Sequence, residues 1–170
     1  MIKIGLLSDT HSHFPDEVYK YFAEVDEIWH AGDVGNMEVI EKLKAFKPLR
    51  AVYGNIDGQE MRKKYPLDVT IELEGLRIWM THIGGYPGKY ADRIRKSLEI
   101  TRPGLFISGH SHILKVIPDK KLNLLHLNPG SAGKEGFHQV RTMMRFAIEA
   151  GKIKDLEVIE IGPRAIQTKL

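Results

Sequence analysis

A chain of 170 residues with 42% hydrophobic content can bury one sizeable core, and residues 1–170 read as a single domain. The net charge of +3 and sequence pI of about 9.0 would tolerate an anionic substrate, but there is no basic stripe of the kind nucleic-acid binders carry. With no cysteine in the chain, disulfides, zinc–thiolate sites and thiol nucleophiles are excluded, so any metal must be held by oxygen and nitrogen.

Ile2 to Leu7 is a near-continuous apolar run, the pattern of a strand buried on both faces, and it ends in Asp9 and His11. Pro15 then opens a helical spacing of Val18, Tyr19, Phe22 and Val25. Ile28 and Trp29 predict a short strand running into His30-Ala31-Gly32-Asp33. Asn36 is placed to cap a helix with Val39, Ile40, Leu43 and Phe46 on one face, closed by Pro48. Leu49 to Tyr53 predicts a third strand, ending in Gly54-Asn55. Arg62-Lys63-Lys64 reads as a solvated helix face.

Val69 to Leu73 and Leu76 to Met80 flank Glu74-Gly75 as a hairpin, and the second strand ends in Thr81-His82. A helix is expected from Tyr90 to Ile100, ended by Pro103. Leu105 to Ser108 leads into Gly109-His110-Ser111-His112. Ile113 to Ile117 and Leu122 to Leu127 pair across Asp119-Lys120-Lys121, followed by the glycine-rich loop Asn128 to Gly133. Met143 to Ile148 and Ile153 to Ile161 alternate as a closing antiparallel hairpin. The order predicts an α/β domain with two packed sheets, outer helices and a site at the carboxyl ends of the strands.

Five strand ends carry metal-type groups: Asp9/His11, Asp33, Asn55, His82 and His110/His112. Residues two apart on an extended chain face the same way, so Asp9 and His11 can address one point. Two carboxylates, one amide oxygen and four imidazoles are too many for one tetrahedral zinc and suit two divalent cations with open positions. Asp33, the lone carboxylate of its strand, is the natural bridge between them. Two such cations would turn a shared water into hydroxide at neutral pH and clamp a substrate with developing negative charge. Mixed nitrogen and oxygen ligation without sulfur favours manganese, iron, zinc or nickel over copper(I) and does not choose among the four; manganese is the first expectation.

Asp9-Thr10-His11, Gly32-Asp33, Gly54-Asn55, Thr81-His82 and Gly109-His110-Ser111-His112 resemble, in order, the signatures of the calcineurin-like metallophosphoesterases. The short chain and the Asn128-Pro129-Gly130-Ser131 loop resemble the small bacterial and archaeal phosphodiesterase branch. The resemblance implies a two-sheet β-sandwich flanked by helices. It implies one metal held by Asp9, His11, Asp33 and His112, and a second by Asp33, Asn55, His82 and His110. Phosphodiester hydrolysis by in-line attack of a metal-bridging hydroxide follows, with Asp33, Asn55 and His82 in the catalytic set. Many family members carry a His after the Gly-Asn pair, credited with protonating the leaving group or steadying the transition state; here that position is Ile56, which can do neither, with Asp57 retained. The expected enzyme is therefore slow on esters with poor leaving groups.

Other readings of these residues are a non-catalytic scaffold, as in a retromer subunit of this fold, and a nuclease. A small phosphoester is the expected partner, nucleic acid is disfavoured, and a homo-oligomer is compatible with the sequence. No run reaches the ~20 apolar residues that span a bilayer, and the N-terminal run is too short for a signal peptide, so a cytoplasmic location is expected. His13 is assigned to a loop or to backing the site, His30 and His126 to hydrogen bonds in the core, and His138 to the surface in preference to the pocket lining. Lys134, Arg141 and Arg145 are read as exposed charges in preference to contacts with a substrate phosphate, Trp29 and Trp79 as core, and Gly84-Gly85 as a turn or a space for substrate.

Overall fold

The computed structural model describes residues 1–165. The first half alternates strand and helix: β1 (Ile2–Leu7), α1 (Glu17–Tyr21), β2 (Glu27–His30), α2 (Met37–Phe46), β3 (Leu49–Ala51) and α3 (Gln59–Lys64). A hairpin follows, β4 (Asp68–Leu73) and β5 (Leu76–Thr81), then a small ribbon of β6 (Gly85–Tyr86) and β7 (Lys89–Tyr90). The second half adds α4 (Asp92–Thr101), β8 (Leu105–Ile107), β9 (Lys115–Asp119), β10 (Leu124–Asn128), β11 (Val140–Glu149) and β12 (Lys152–Pro163).

Two five-stranded sheets result, ordered β12-β11-β1-β2-β3 and β4-β5-β8-β10-β9. Strands β1, β2 and β3 are parallel, as are β5, β8 and β10, so each sheet discharges several carboxyl ends at one edge. The apolar faces account for the layering. Ile4, Leu6, Trp29, Val52, Ile78, Met80, Ile107 and Phe146 share one core between the sheets. Leu7, Val18, Phe22, Leu43, Met61 and Met143 form a second core beneath α1, α2 and α3. On the far side, Ile94 and Leu98 of α4 pack on Trp79, Phe106 and Leu124. The molecule is a two-sheet sandwich with helices outside both sheets, as expected, and each fully buried Leu, Ile or Phe contributes about 1.5–3 kcal/mol to holding it.

The differences from expectation are local. β3 ends at Ala51: the Val52 amide still donates to His30 O of β2, but the Tyr53 amide leaves the sheet and donates to Pro66 O. β9 begins at Lys115 rather than Ile113, since Ile113 and Leu114 lie exposed in the loop after His112. The ribbon of β6 and β7 carries too little apolar alternation to announce itself. Asn36 occupies the N-cap position of α2 with an extended backbone, but its side chain makes no capping bond; its own amide donates to Ser12 Oγ.

Candidate metal centre

All the strand-end groups meet at the mouth between the sheets. Backbone bonds fix the loops that carry them. The Asp9 amide donates to Gly32 O at 3.0 Å, the His11 amide to Asp33 O at 3.1 Å, and the Gly109 amide to His82 O at 3.0 Å. The turns are tight: Asp9, His11, Ser12, Asp33, His110 and His112 all adopt positive φ, between 45° and 70°. That left-handed region is sparsely used by residues with a side chain. Gly32, at φ +98°, lies so close to His82 that a Cβ would fall 2.6 Å from its ring.

The groups fall into two sets, Asp9 with His11 and His112, and Asp33 with His82 and His110. Within each set the donor atoms lie within 4.8 Å of one another, close enough to hold an ion. Asp33 Oδ2 touches both sets, 3.1 Å from His82 Nε2 and 3.5 Å from His11 Nε2. Asn55 Oδ1 lies 3.1 Å from His82 Nε2 and 3.0 Å from His110 Nδ1. His112 Nε2 lies 3.1 Å from Asp9 Oδ1. The structure thus brings together all seven residues singled out from the sequence.

The hydrogen bonds aim these atoms inward. Asp9 Oδ2 accepts from Ser8 Oγ at 2.6 Å and from the His110 amide at 3.1 Å. Its other oxygen, Oδ1, is buried with no hydrogen-bond partner, as is His11 Nε2. Buried polar atoms are rarely left so. His82 Nδ1 donates to Ala31 O at 2.7 Å, so a neutral ring turns a lone pair on Nε2 toward the oxygens of Asp33 and Asn55. Lone pairs converging on lone pairs require positive charge among them. The balance of charge and burial agrees. Burial would push Asp9 and Asp33 up, but the imidazoles around them outweigh it and hold both carboxyls below the usual range. Burial opposes protonation of His82, yet Asp33 and Asp9 raise it; Asp9 likewise raises His11. This oxygen and nitrogen set, with orphaned buried donors, fits divalent cations.

Of the remaining histidines, His30 is fully buried, accepts from the Gly32 amide at Nδ1 and reaches Thr10 Oγ1 at 3.0 Å through Nε2. Burial pushes it down to about 4, so it is a neutral strut. His126 is a core histidine, donating from Nδ1 to Phe106 O at 3.1 Å. His13 sits half-buried in the turn after Thr10. His138 departs from expectation: it is half-buried, with Nδ1 3.3 Å from His112 Nδ1.

Arg141 also departs, being buried and donating to Ala132 O, while Arg145 pairs with Glu157 and Tyr21 O. Neither arginine is directed to the site. Asp57 proves structural, its buried carboxylate accepting the amides of Gly54, Val34 and Gly35 at 2.8, 3.2 and 2.9 Å. It ties the loop of Asp33 to the loop of Asn55. Ile56 is half exposed and bonds Asp33 only through its amide. Two clefts adjoin the centre, one of about 360 Å³ lined by Tyr53, Arg62, His82 and Ile83, the other of about 260 Å³ lined by Tyr86, Lys89, His110 and Lys115.

The family model for the calcineurin-like phosphoesterase superfamily domain matches residues 2–151. The chain belongs to that superfamily. A probable metallophosphoesterase of Methanothermobacter thermautotrophicus is 31% identical over 167 residues, covering 94% of this chain and 92% of the relative. A phosphodiesterase of Methanocaldococcus jannaschii is 26% identical over 147 residues, covering 76% and 83%. Among solved structures, Vps29 of Entamoeba histolytica complexed with zinc shares the fold with a TM-score of 0.70 at 18% identity, covering 95% of this chain and 100% of that one. Among the described residues, no helix is long and apolar enough to cross a membrane.

Proposed function

We propose that residues 1–170 form one metallophosphoesterase domain that hydrolyses phosphodiesters with two divalent cations, manganese first among them. The observation that carries this reading is the convergence of seven residues with oxygen and nitrogen ligand atoms, Asp33 Oδ2 lying near both His82 and His11, with Asp9 Oδ1 and His11 Nε2 buried and unpartnered. Asp9, His11, Asp33 and His112 would hold one cation, and Asp33, Asn55, His82 and His110 the other. When bound, such a pair supplies Lewis acidity and a nucleophile drawn from water.

The protein's own part is positioning and charge. Ser8 and the His110 amide fix one oxygen of Asp9, and the Ile56 amide fixes one of Asp33, leaving the second oxygen of each carboxylate directed inward. Asn55, His82 and His110 border the clefts, where polar groups can meet the non-bridging oxygens of a phosphate. Arg62 in one cleft and Lys89 and Lys115 in the other favour an anionic substrate. Two clefts flanking one centre suit a phosphate with two substituents, and the relative from Methanocaldococcus jannaschii is itself described as a phosphodiesterase. With Ile56 beside Asp33, that residue offers no proton to the leaving group.

The test is release of p-nitrophenol from bis(p-nitrophenyl) phosphate with Mn²⁺. Activity abolished by chelator and by Asp33→Ala supports the reading. Metal-independent turnover, or none with any of manganese, iron, zinc or nickel, overturns it. Cleavage of oligonucleotides with a steep salt dependence would instead favour a nuclease. The scaffold reading draws on Ile56 and on the fold shared with Vps29. It predicts metal binding without turnover.

A further inference from the structure

We infer that His138 is a positioning residue that sets the tautomer of His112 and so aims its Nε2 into the centre. The inference rests on the metal-binding reading above, and the donors and acceptors dictate the sense. His138 Nε2 lies 2.9 Å from Gly133 O, and a carbonyl can only accept, so the His138 proton sits on Nε2. A neutral His138 then presents a bare Nδ1. That atom lies 3.3 Å from His112 Nδ1, which must supply the proton. His112 is thereby fixed as the Nδ1–H form, and its Nε2 lone pair is left 3.1 Å from the unpartnered Oδ1 of Asp9. A ligating imidazole needs that arrangement, with one nitrogen held by an outer partner and the other free.

The loop around His138 is shaped for this contact. Gly136, at φ +123°, packs so close that a Cβ would fall 2.3 Å from His112 Nδ1. A Cβ on Gly133 would fall 2.4 Å from Asp9 O. The same loop places Glu135 Oε2 3.9 Å from His11 Nδ1, on the side of that ring away from the centre. Glu135 is mostly exposed and its pull is weak, but it faces His11 as His138 faces His112. The loop therefore backs both imidazoles of the Asp9 set. From the sequence it shows only as a glycine-rich stretch, and the role of His138 is visible only when the chain returns.

The test uses the full chain labelled with ¹⁵N-histidine, in the metal-free form and above the histidine titration range. His112 should appear as the Nδ1–H tautomer, with a nitrogen–nitrogen coupling across the hydrogen bond to His138 Nδ1. His138→Phe keeps a ring but removes the acceptor, and should shift His112 toward Nε2–H and weaken Mn²⁺ binding by about 10–100-fold by calorimetry. His138→Gln, whose side-chain oxygen can accept and whose amide can donate, should restore most of the affinity. An Nε2–H His112 in the wild type, or no coupling to His138, overturns the inference even if His138→Phe does not fold. So does a Phe variant with unchanged tautomer and affinity. A wild-type protein with the expected tautomer and no Mn²⁺ binding would overturn the metal-binding reading itself, and the positioning role with it.

Discussion

The amide of Ile56 donates to Oδ1 of Asp33 at 3.0 Å, which leaves Oδ2 free to face His82 and His11. One carboxylate oxygen is spent on the backbone and the other sits between two sets of imidazoles. Asp33→Ala should therefore abolish both sets at once, with activity on the bis(p-nitrophenyl) ester falling by more than the ~10–100-fold that loss of an outer partner costs. Steady-state assay beside metal titration checks this; retained activity with a single bound ion would refute the bridging role.

Metal should stabilise the fold. Unligated, the Asp9 and Asp33 carboxylates lie among atoms that need positive charge between them. Binding confined to the folded state gives about 2.7 kcal/mol at 100-fold excess over Kd. For a domain of this size that corresponds to a rise of roughly 5–10 °C in Tm. Calorimetric melting with and without Mn²⁺ reads it directly, and an unchanged melt would count against a functional site.

Asp57→Ala should be among the costliest single changes near the site. Three backbone amides, from Val34, Gly35 and Gly54, lose their acceptor in a buried setting. Leaving such donors unpaired costs about 1–3 kcal/mol each before relaxation. We expect roughly 3–5 kcal/mol in urea melts, with weakened Mn²⁺ affinity in the folded fraction, because Asp57 joins the Asp33 and Asn55 loops.

Leaving-group dependence follows from Ile56. General acid catalysis contributes about 10²–10⁴ in rate. Without it at this position, p-nitrophenyl diesters should turn over at least about 100-fold faster than alkyl diesters. Equal rates on the two would show that another group supplies the proton.

Acid should weaken the fold partly through His126. Burial holds its folded pKa down to about 4, below the ordinary imidazole value of about 6.5. The unfolded chain thus binds the proton more readily, and stability is complete above about 6.5 and lost as pH falls toward about 4. The full effect is roughly 3 kcal/mol. Chemical denaturation of the metal-free protein at several pH values should show a steeper acid loss for the wild type than for His126→Phe. Parallel curves would contradict this.

What could be read in advance was whatever the backbone makes periodic. Apolar runs that stop at Asp9, Asp33, Asn55, His82 and His110 mark parallel strands ending at one edge, and the two sheets follow from their order. Contacts made when distant segments return were not legible. Asp57 was legible only as an acid retained beside Ile56, because its three amide partners lie on turns whose geometry no pattern encodes. His138 looked like surface because nothing in a glycine-rich loop tells which way it folds back. Arg141 looked exposed because a buried cation bonded to Ala132 O and paired with Glu17 leaves no periodic trace.

The left-handed backbone at Asp9, His11, Ser12, Asp33, His110 and His112 has an evolutionary corollary. Each such turn disfavours a side chain by about 1–2 kcal/mol relative to glycine. Laboratory selection for heat resistance in the presence of chelator, where these side chains bring no metal-derived stability, would therefore recruit glycine at such positions and yield a tougher, inert protein.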